Sequence, residues 1–345
     1  MNDAVRLVAV VTGVGGYAAV LDATAPPPAA DMLDADMRRV DAVIRERLAS
    51  EVALIDQIAH YIVGAGGKRI RPRLVLLTSQ ALGFDGPERH ELAAIVEFIH
   101  TATLLHDDVV DESGMRRGRA TANAVFGNAA SVLVGDFLYS RAFQMMVAVD
   151  RMPVLAVLAD ATNVIAEGEV LQLMNMHDPD LAVEEYLRVI RFKTAKLFEA
   201  SARLGAVLAE SDDATVERCA AYGRALGTAF QLVDDLLDYE GNSHELGKNI
   251  GDDLREGKPT LPLLVAMERG SADDRALIRS AIEHGEVAQL AEIVGIVRRT
   301  GALDATREAA EREAALARSS IVALPPSPAR AALLELCVRA VNRSS

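Results

Sequence analysis

Two copies of the pattern D-D-x-x-D, at Asp107–Asp111 and Asp234–Asp238, each interrupt an otherwise apolar stretch. On a helix, residues i and i+4 share a face, so the first and last aspartate of each copy direct two carboxylates to one point. One copy fits a solvated face or helix cap equally well, but two copies within apolar sequence indicate a cation between the carboxylates. Carboxylates that leave room for phosphate oxygens suit Mg²⁺. The candidate metal ligands are Asp107, Asp108, Asp111, Asp234, Asp235 and Asp238.

Basic residues gather close to these motifs in the sequence. The segment Gly66–Pro72 is a glycine turn that carries Lys68 and Arg71, and its backbone N–H groups, helix dipole and cations together predict a diphosphate cradle. Taken alone, the segment fits a solvated basic loop equally well. Further cations occur at Arg116 and Arg117, directly after the first motif, and at Lys193, Lys248 and Lys258. This clustering indicates binding of more than one anionic group.

Composition limits the class of protein. The net charge of −14 argues against a nucleic-acid partner, so phosphate binding must be local. Half of the residues are hydrophobic and Trp is absent, which favours a core of Ala, Leu, Val and Ile between close-packed helices. Cys219 and Cys337 form no C-x-x-C or zinc spacing and fit a reducing compartment. We therefore expect a cytoplasmic location.

Helical periodicity predicts an all-α fold without convincing strands. Residues 1–30 are predicted to be a poorly ordered extension, with a cleaved signal peptide as the less favoured alternative, and residues 31–345 a single helical domain. The two acidic motifs are placed near the C-terminal ends of two long helices, where they oppose the helix macrodipole. The predicted helices are 31–62, 72–83, 87–111, 129–149, 153–176, 183–208, 213–240, 260–269, 272–283, 286–299, 302–322 and 328–342.

Several motifs together resemble the trans-prenyltransferases, the polyprenyl diphosphate synthases. The resemblance covers about Asp31 to the C-terminus, and its order and spacing of motifs are highly specific. It implies an isoprenoid-synthase-type helical bundle around a central apolar cavity. It is strongest for the bacterial long-chain members that make the side chain of ubiquinone. The motifs are Gly66–Pro72, His100–Asp111, Arg116–Gly118, Gly135-Asp136, Lys193-Thr194 and Gln231–Asp238.

The resemblance also implies a role for each matching residue. Lys68, Arg71 and His100 are expected to hold the diphosphate of isopentenyl diphosphate together with Arg117, while Arg116 contacts the allylic diphosphate. The six aspartates are expected to bind Mg²⁺. Lys193, Thr194, Gln231, Lys248 and Lys258 are expected to surround the leaving group and the developing carbocation. Helix geometry agrees, because His100 and Gln231 lie on the faces of their own carboxylates.

Three other functions compete with this interpretation. A metal-dependent phosphohydrolase could use His106-Asp107 as a metal pair, but leaves the second acidic motif and the Gly-Gly-Lys loop unused. A terpene cyclase would normally carry an Asn/Asp, Ser/Thr, Glu set at Asp234–Asp238. A noncatalytic subunit of a heteromeric synthase tends to lose its aspartates, whereas this chain keeps all six.

Product length is expected to depend on the helix that precedes Asp107. Short-chain relatives carry aromatic rings just before the motif, whereas this chain has Ala102 and Thr103. Small side chains leave a tunnel open for about 11 Å along two turns, past Ile99 and toward Val96. We expect an octaprenyl product, with decaprenyl or solanesyl lengths as alternatives. The candidate floor residues on a neighbouring helix are Phe143, Met145 and Met146.

The resemblance implies partners as well as substrates. Isopentenyl diphosphate is expected to add to an allylic prenyl diphosphate, with farnesyl diphosphate as the primer. The family is usually homodimeric, and the apolar segment Ala129–Val149 is the expected interface. The apolar product is expected to require transient membrane contact for its release.

Overall fold

The computed structural model describes residues 29–64, 66–116, 118–240 and 251–343. Residues 1–28 of the predicted extension, and the predicted site residues Arg117 and Lys248, lie outside the described residues. The first helix begins at Ala29, two residues before the predicted domain start. Among the described residues the fold is all-α apart from one two-stranded hairpin, which confirms the predicted fold class.

The helices follow one another with short connections. In chain order they are α1 (Ala29–Leu48), α2 (Ala53–Gly64), α3 (Ile70–Ala81), α4 (Glu88–Val110), α5 (Ala122–Phe126), α6 (Asn128–Val149), α7 (Met152–Asn175), α8 (Val183–Ile190), α9 (Lys196–Leu208), α10 (Asp213–Glu240), α11 (Asp252–Arg255), α12 (Leu261–Arg269), α13 (Ala272–His284), α14 (Leu290–Arg299), α15 (Ala302–Ile321) and α16 (Pro328–Val341). Strands β1 (Met115–Arg116) and β2 (Arg119–Ala120) pair antiparallel, and a π-helical turn, Arg191–Ala195, joins α8 to α9.

The sequence-based boundaries differ from the structure at several places. The helix predicted over 31–62 is two helices, because the Ser50 hydroxyl accepts a hydrogen bond from the Val52 N–H and so favours a local turn over a continuous helix. The helix predicted over 183–208 contains the π-helical turn. The hairpin and the short helices α5 and α11 were not predicted, since two to five residues are too few to show a period. Pro72 occupies the third position of α3 rather than the first.

Helix α10 connects two hydrophobic cores. Its N-terminal half contributes Tyr222 and Leu226 to the first core, which also contains α1 to α7, α9, α16 and the C-terminal half of α15. Its C-terminal half contributes Leu232 and Leu236 to the second core, formed with α8 and α11 to α15. Helix α10 packs most extensively on α15 and α9, while α4 packs on α6. The acidic motifs therefore lie at the ends of two deeply packed helices, as the sequence predicts.

Helix α1 is fixed by one buried carboxylate. Asp36 accepts hydrogen bonds from Gln80 of α3 and from Arg89 and His90 at the start of α4. Burial raises the pKa of Asp36, but the hydrogen bonds from His90 and Arg89 outweigh burial and lower the pKa overall. Because these partners belong to three helices, the cluster joins α1, α3 and α4 at the N-terminal end of α4.

Helix α6 is unusual in its exposed surface. It is long and apolar enough to cross a membrane by length and composition alone, and a third of its most apolar window is buried. Its exposed apolar side chains are Val132, Leu133, Phe143 and Val147. Exposed apolar residues that recur on one helix are a feature of association surfaces.

The crossing of α9 and α10 generates a stability prediction. A Cβ added at Gly223 would overlap the backbone carbonyl of Phe198 and lie 2.8 Å from the Cα of Glu199. Gly223→Ala should therefore lower the free energy of unfolding by about 2 kcal/mol, as overpacking does. Gly295→Ala is the matched control, since nothing lies within 4 Å of its added Cβ, and it should raise stability by up to about 1 kcal/mol through helix propensity. Urea titration of both variants measures this difference, and equal values would contradict the close crossing.

Candidate active site

A cavity of about 850 Å³ opens where the two cores meet. Its wall contains the N-terminal end of α3, the C-terminal ends of α4, α7 and α10, and the π-helical turn. The predicted site residues that line it are Lys68, Arg71, His100, Thr103, Asp107, Asp111, Arg116, Lys193, Thr194, Gln231, Asp234, Asp235, Asp238 and Lys258. Part of the expected apolar cavity is therefore strongly charged. Residues such as Leu104, Val189 and Leu237 form an apolar part of its wall.

Two aspartates of the first motif reach this cavity. Lys193 places its Nζ 3.7 Å from Asp107 Oδ1, and Lys258 places its Nζ 3.0 Å from Asp111 Oδ2. The largest influence on Lys258 is burial, which lowers its pKa, but Asp111 and Glu256 outweigh burial and raise the pKa well above its usual value. The second oxygen of Asp111, Oδ1, is buried without a hydrogen-bond partner. The chain's own cations therefore compensate both cavity-facing carboxylates, and one buried oxygen of Asp111 has no hydrogen-bond donor among the described residues.

Asp108 occupies a different environment. Its side chain is fully buried outside the main cavity, and Arg116 Nε donates a hydrogen bond to its Oδ1 at 2.7 Å. Burial raises the pKa of Asp108, and Arg116 opposes this effect. Asn123 also donates to the backbone carbonyl of Asp108. Asp108 thus holds the hairpin that carries Arg116 against the end of α4.

The aspartates of the second motif also lie in different environments. Asp234 is 45% exposed in the cavity and lies 2.7 Å from a guanidinium nitrogen of Arg343. Asp235 is buried, and both of its oxygens accept hydrogen bonds, from Gln231 Nε2 at 2.8 Å and from the Tyr186 hydroxyl at 2.5 Å. Burial, followed by the charge of Asp253, raises the pKa of Asp235 to about 7. Asp238 is mostly buried and accepts a hydrogen bond from the Asp253 backbone N–H.

The π-helical turn presents Lys193 and Thr194 to the cavity together. Gly168 of α7 packs directly on this turn, since an added Cβ would lie 2.6 Å from the Lys193 backbone nitrogen. The neighbouring Glu169 places its Oε2 2.6 Å from Lys193 Nζ. Thr194 Oγ1 donates to Gln231 Oε1 at 3.0 Å, which links the turn to α10. A widened helical turn at a functional site is a recurrent use of the π-helix.

The cations of the predicted diphosphate cradle pack against two phenylalanine rings. Gly66 and Gly67 adopt positive φ angles of 71° and 153°, so the loop turns tightly before α3. Lys68 Nζ lies 5.8 Å from the Phe230 ring centre, and Arg71 Cζ lies 4.5 Å from that of Phe198. The two rings are 5.5 Å apart. The two cations therefore each contact one ring of an aromatic pair.

The residues expected to set product length lie in different environments. Thr103 lines the cavity, whereas Ala102 and Ile99 are buried in the first core. Met145 and Met146 are also buried in that core, and Phe143 is 41% exposed on α6. Thr103 is therefore the member of this set that a bound substrate can contact directly.

The donor set fits a hard cation that is shared with a ligand. Asp107, Asp111 and Asp234 supply carboxylate oxygens to one cavity, and Asp111 Oδ1 lacks a protein partner. Within the described part of the chain, no three His, Cys, Asp or Glu side chains converge on one point. Mg²⁺ does not require such a cluster, because it is usually held by one or two carboxylates plus phosphate oxygens and water.

Sequence reasoning missed several residues of the cavity. Glu169 had a detectable signal, since it is an acidic residue beside Gly168 in an apolar helix. Tyr186 lies seven residues before Lys193 and so on its face of the helix. Arg343 had no signal, because it is brought to Asp234 only by the packing of α16. Phe198 and Phe230 resemble ordinary core residues in sequence.

Comparison with known proteins identifies the family of this chain. The model of the polyprenyl synthetase family matches residues 52–297. Octaprenyl diphosphate synthase of Escherichia coli (strain K12) is 55% identical over 309 residues, which cover 89% of this chain and 96% of that protein. The Haemophilus influenzae octaprenyl diphosphate synthase is 52% identical, covering 91% of this chain and 95% of that protein. The chain belongs to the polyprenyl synthetase family.

Solved structures show the same fold. A polyprenyl synthase from Caulobacter crescentus CB15, complexed with calcium and isoprenyl diphosphate, has a TM-score of 0.88 and 46% identity, covering 92% of this chain and 99% of that one. A decaprenyl diphosphate synthase from Rhodobacter capsulatus has a TM-score of 0.86 and 46% identity, covering 92% and 98%. These similarities confirm the isoprenoid-synthase-type bundle.

The environment of Glu169 predicts a pH dependence of stability. Burial first, and then the charges of Asp107 and Asp111, raise its pKa from 4.5 to about 7, although Lys193 opposes the rise. The folded protein binds the proton of the Glu169 carboxyl more tightly than the unfolded chain does. The stabilisation of the fold by this proton is therefore present below pH 4.5 and is lost as the pH rises to about 7. Glu169→Gln removes this titrating group. Without metal, the free energy of unfolding of the variant should therefore fall less steeply than that of the wild type between pH 4.5 and about 7.

Urea titrations in EDTA at several pH values between about 5.5 and 8 measure this slope. The control is Glu311→Gln, on the exposed face of α15, whose profile should match that of the wild type. Identical slopes for all three proteins would show that Glu169 is not the titrating group.

Proposed function

We propose that this chain is a long-chain all-trans-polyprenyl diphosphate synthase that adds isopentenyl diphosphate units to an allylic diphosphate. One observation carries the proposal: two D-D-x-x-D motifs and a separate basic cradle line the same cavity. Such a cavity can hold two diphosphates, one at the carboxylates through a cation and one at Lys68 and Arg71. Farnesyl diphosphate is the proposed primer, Mg²⁺ the proposed metal, and the ubiquinone side chain the proposed use of the product.

The metal is supported by the chemistry of its proposed ligands. Asp107, Asp111 and Asp234 present only hard oxygen donors. When bound, Mg²⁺ supplies positive charge that stabilises the diphosphate as it leaves. Lys193 and Lys258 add to this charge from positions beside the same carboxylates. Arg116, which the hairpin holds at the cavity edge, supplies a further cation for the allylic diphosphate.

The reaction proceeds through charge separation in the cavity. The allylic C–O bond breaks, the bonding electrons leave with the diphosphate, and a delocalised carbocation remains. The double bond of isopentenyl diphosphate attacks this carbocation to form the new C–C bond. A proton is then lost to the departed diphosphate, which gives an allylic product one five-carbon unit longer. Apolar wall residues such as Leu104 and Val189 exclude water that would quench the carbocation.

The competing functions account for fewer of these features. His106, the histidine that a phosphohydrolase would require, contacts the Val132 carbonyl and Asp136 of α6 and does not line the cavity. Nor would a phosphohydrolase require the cradle at Lys68. A noncatalytic subunit would not require three carboxylates at the cavity surface.

The proposal predicts a sharp loss of activity at the three cavity-facing aspartates. Asp107→Asn, Asp111→Asn and Asp234→Asn should each lower turnover by at least about 10²-fold, because each removes stabilisation of charge that develops in the transition state. Glu311→Gln should turn over normally. Incorporation of labelled isopentenyl diphosphate into extended farnesyl diphosphate, with Mg²⁺ or EDTA, provides the measurement. Near-normal turnover in the three variants, or full activity in EDTA, would refute the proposal.

The product is proposed to be octaprenyl diphosphate. Relatives named for octaprenyl products are 52–55% identical to this chain, whereas a nonaprenyl-diphosphate synthase from Rhodobacter capsulatus is 46% identical. This difference supports the shorter of the two products.

Thr103 provides the test of product length. Thr103→Phe should shorten the product to farnesyl or geranylgeranyl diphosphate, because the ring fills the cavity next to the aspartates while the first condensations continue. Ala102→Phe is less informative, since Ala102 is fully buried and a ring there also overpacks the core. Mass spectrometry of the products decides the point. An unchanged octaprenyl product in an active Thr103→Phe enzyme would show that the growing chain does not pass this face.

We also propose a homodimer that is formed through α6. Its exposed apolar residues, among them Leu133 and Val147, support this assignment, and an obligate interface should bury about 2,000 Å² or more. Leu133→Lys with Val147→Lys should give a monomer by light scattering at micromolar concentration, because two charges would be buried unpaired. Leu316→Lys, at an exposed apolar residue of α15, is the matched control and should remain dimeric. A monomeric wild type would contradict the proposal.

Two further proposals concern the cellular setting. A cytoplasmic location is supported by Cys219 and Cys337, which are both free, buried thiols. Transient membrane contact is supported by the apolar nature of a long prenyl product, whose release into water is unfavourable.

A further inference from the structure

The side-chain amide of Gln231 is held in one orientation by two neighbours, Asp235 and Thr194, and Tyr186 in turn holds Asp235. Its Nε2 donates to Asp235 Oδ1 at 2.8 Å, and its Oε1 accepts from the Thr194 hydroxyl at 3.0 Å. The second oxygen of Asp235 accepts from the Tyr186 hydroxyl at 2.5 Å. Tyr186 and Asp235 are only 4% and 3% exposed. The network therefore connects α8, the π-helical turn and α10, and two of its members are buried in the cavity wall.

This arrangement determines which end of the amide faces the cavity. Both oxygens of Asp235 accept hydrogen bonds, one from the Tyr186 hydroxyl, so the oxygen that faces Gln231 takes the NH₂ end of its amide. The carbonyl oxygen then faces Thr194, which lines the cavity together with Gln231. A carbonyl oxygen has two lone-pair positions, and Thr194 uses one. The second is available to positive charge in the cavity.

We propose that Tyr186 and Asp235 are positioning residues that fix the Gln231 amide, so that its carbonyl oxygen faces the carbocation as it develops. The inference rests on the proposed function. Without this network, the amide could rotate and present its NH₂ group, which carries partial positive charge and would repel the carbocation. Electrostatic stabilisation is strongest when such a dipole is oriented before the charge appears.

The geometry distinguishes this role from direct metal binding by Asp235. Protein donors already occupy both oxygens of Asp235. Asp234 is 45% exposed, and Asp111 keeps one oxygen without a protein partner. These two residues are placed to bind a cation, whereas Asp235 is placed to hold Gln231.

Tyr186→Phe tests the proposal, because it removes one hydroxyl and no candidate metal ligand. The probes are two allylic diphosphate analogues, one with an ammonium nitrogen in place of a carbon of the allylic cation and one with a neutral carbon there. Wild type should prefer the ammonium analogue. Loss of one buried hydrogen bond should reduce that preference by about tenfold, with the neutral analogue bound within about twofold of wild type. In turnover, kcat should fall while KM for the allylic substrate stays level.

Tyr222→Phe is the matched control. Tyr222 is fully buried, and its hydroxyl donates to the Leu333 carbonyl, away from the cavity. This variant should lose stability but keep the wild-type preference between the analogues. Equal weakening of both analogues in Tyr186→Phe, or an unchanged preference, would overturn the proposal, because Tyr186 would then only support the wall or have no influence on Gln231.

Asp235→Leu examines the second positioning residue. It should reduce the preference at least as much as Tyr186→Phe, while Mn²⁺ affinity in titration should fall less than in Asp234→Asn. An equal loss of Mn²⁺ affinity in the two variants would identify Asp235 as a metal ligand and overturn the inference. If Asp235→Leu does not fold, Tyr186→Phe decides alone. Failure of wild type to extend any allylic diphosphate would instead refute the proposed function.

Discussion

Charge compensation inside the cavity is the constraint on which the site depends. Carboxylates at the ends of α4 and α10 oppose the helix dipoles and repel one another. The chain balances them with its own cations: Lys193 beside Asp107, Lys258 beside Asp111, and Arg343 beside Asp234. Each cation comes from a different part of the fold. The acidic cavity therefore requires the π-helical turn, the loop before α12 and the end of α16 to be in place together.

The same ion pairs prepare the cavity for diphosphates. In the proposed function, a metal that binds one of these carboxylates would release the paired cation to a phosphate oxygen. Lys193 and Lys258 can therefore change partners without large movements. Such an exchange costs less than ordering unpaired side chains, since the side chains are already held near their final positions.

The first and second aspartates of a motif lie in different environments, and this difference is the same in both motifs. In each, the first aspartate reaches the cavity and the second is buried against protein donors: Asp108 against Arg116, and Asp235 against Tyr186 and Gln231. A buried carboxylate needs such donors, because burial without partners is costly. The middle aspartates thus fix neighbouring side chains, and those side chains define the shape of the site.

The sequence alone determined the all-α class and the placement of the acidic motifs at two helix ends, and it predicted basic residues that line the same cavity. These features are local, since helical period and motif spacing are properties of neighbouring residues. Only the tertiary structure decided which aspartates face the cavity, that Ala102 is buried while Thr103 lines the wall, and that Glu169, Tyr186 and Arg343 belong to the site. Arg343 and Asp234 are more than a hundred positions apart, and no local pattern reports a contact that arises from packing.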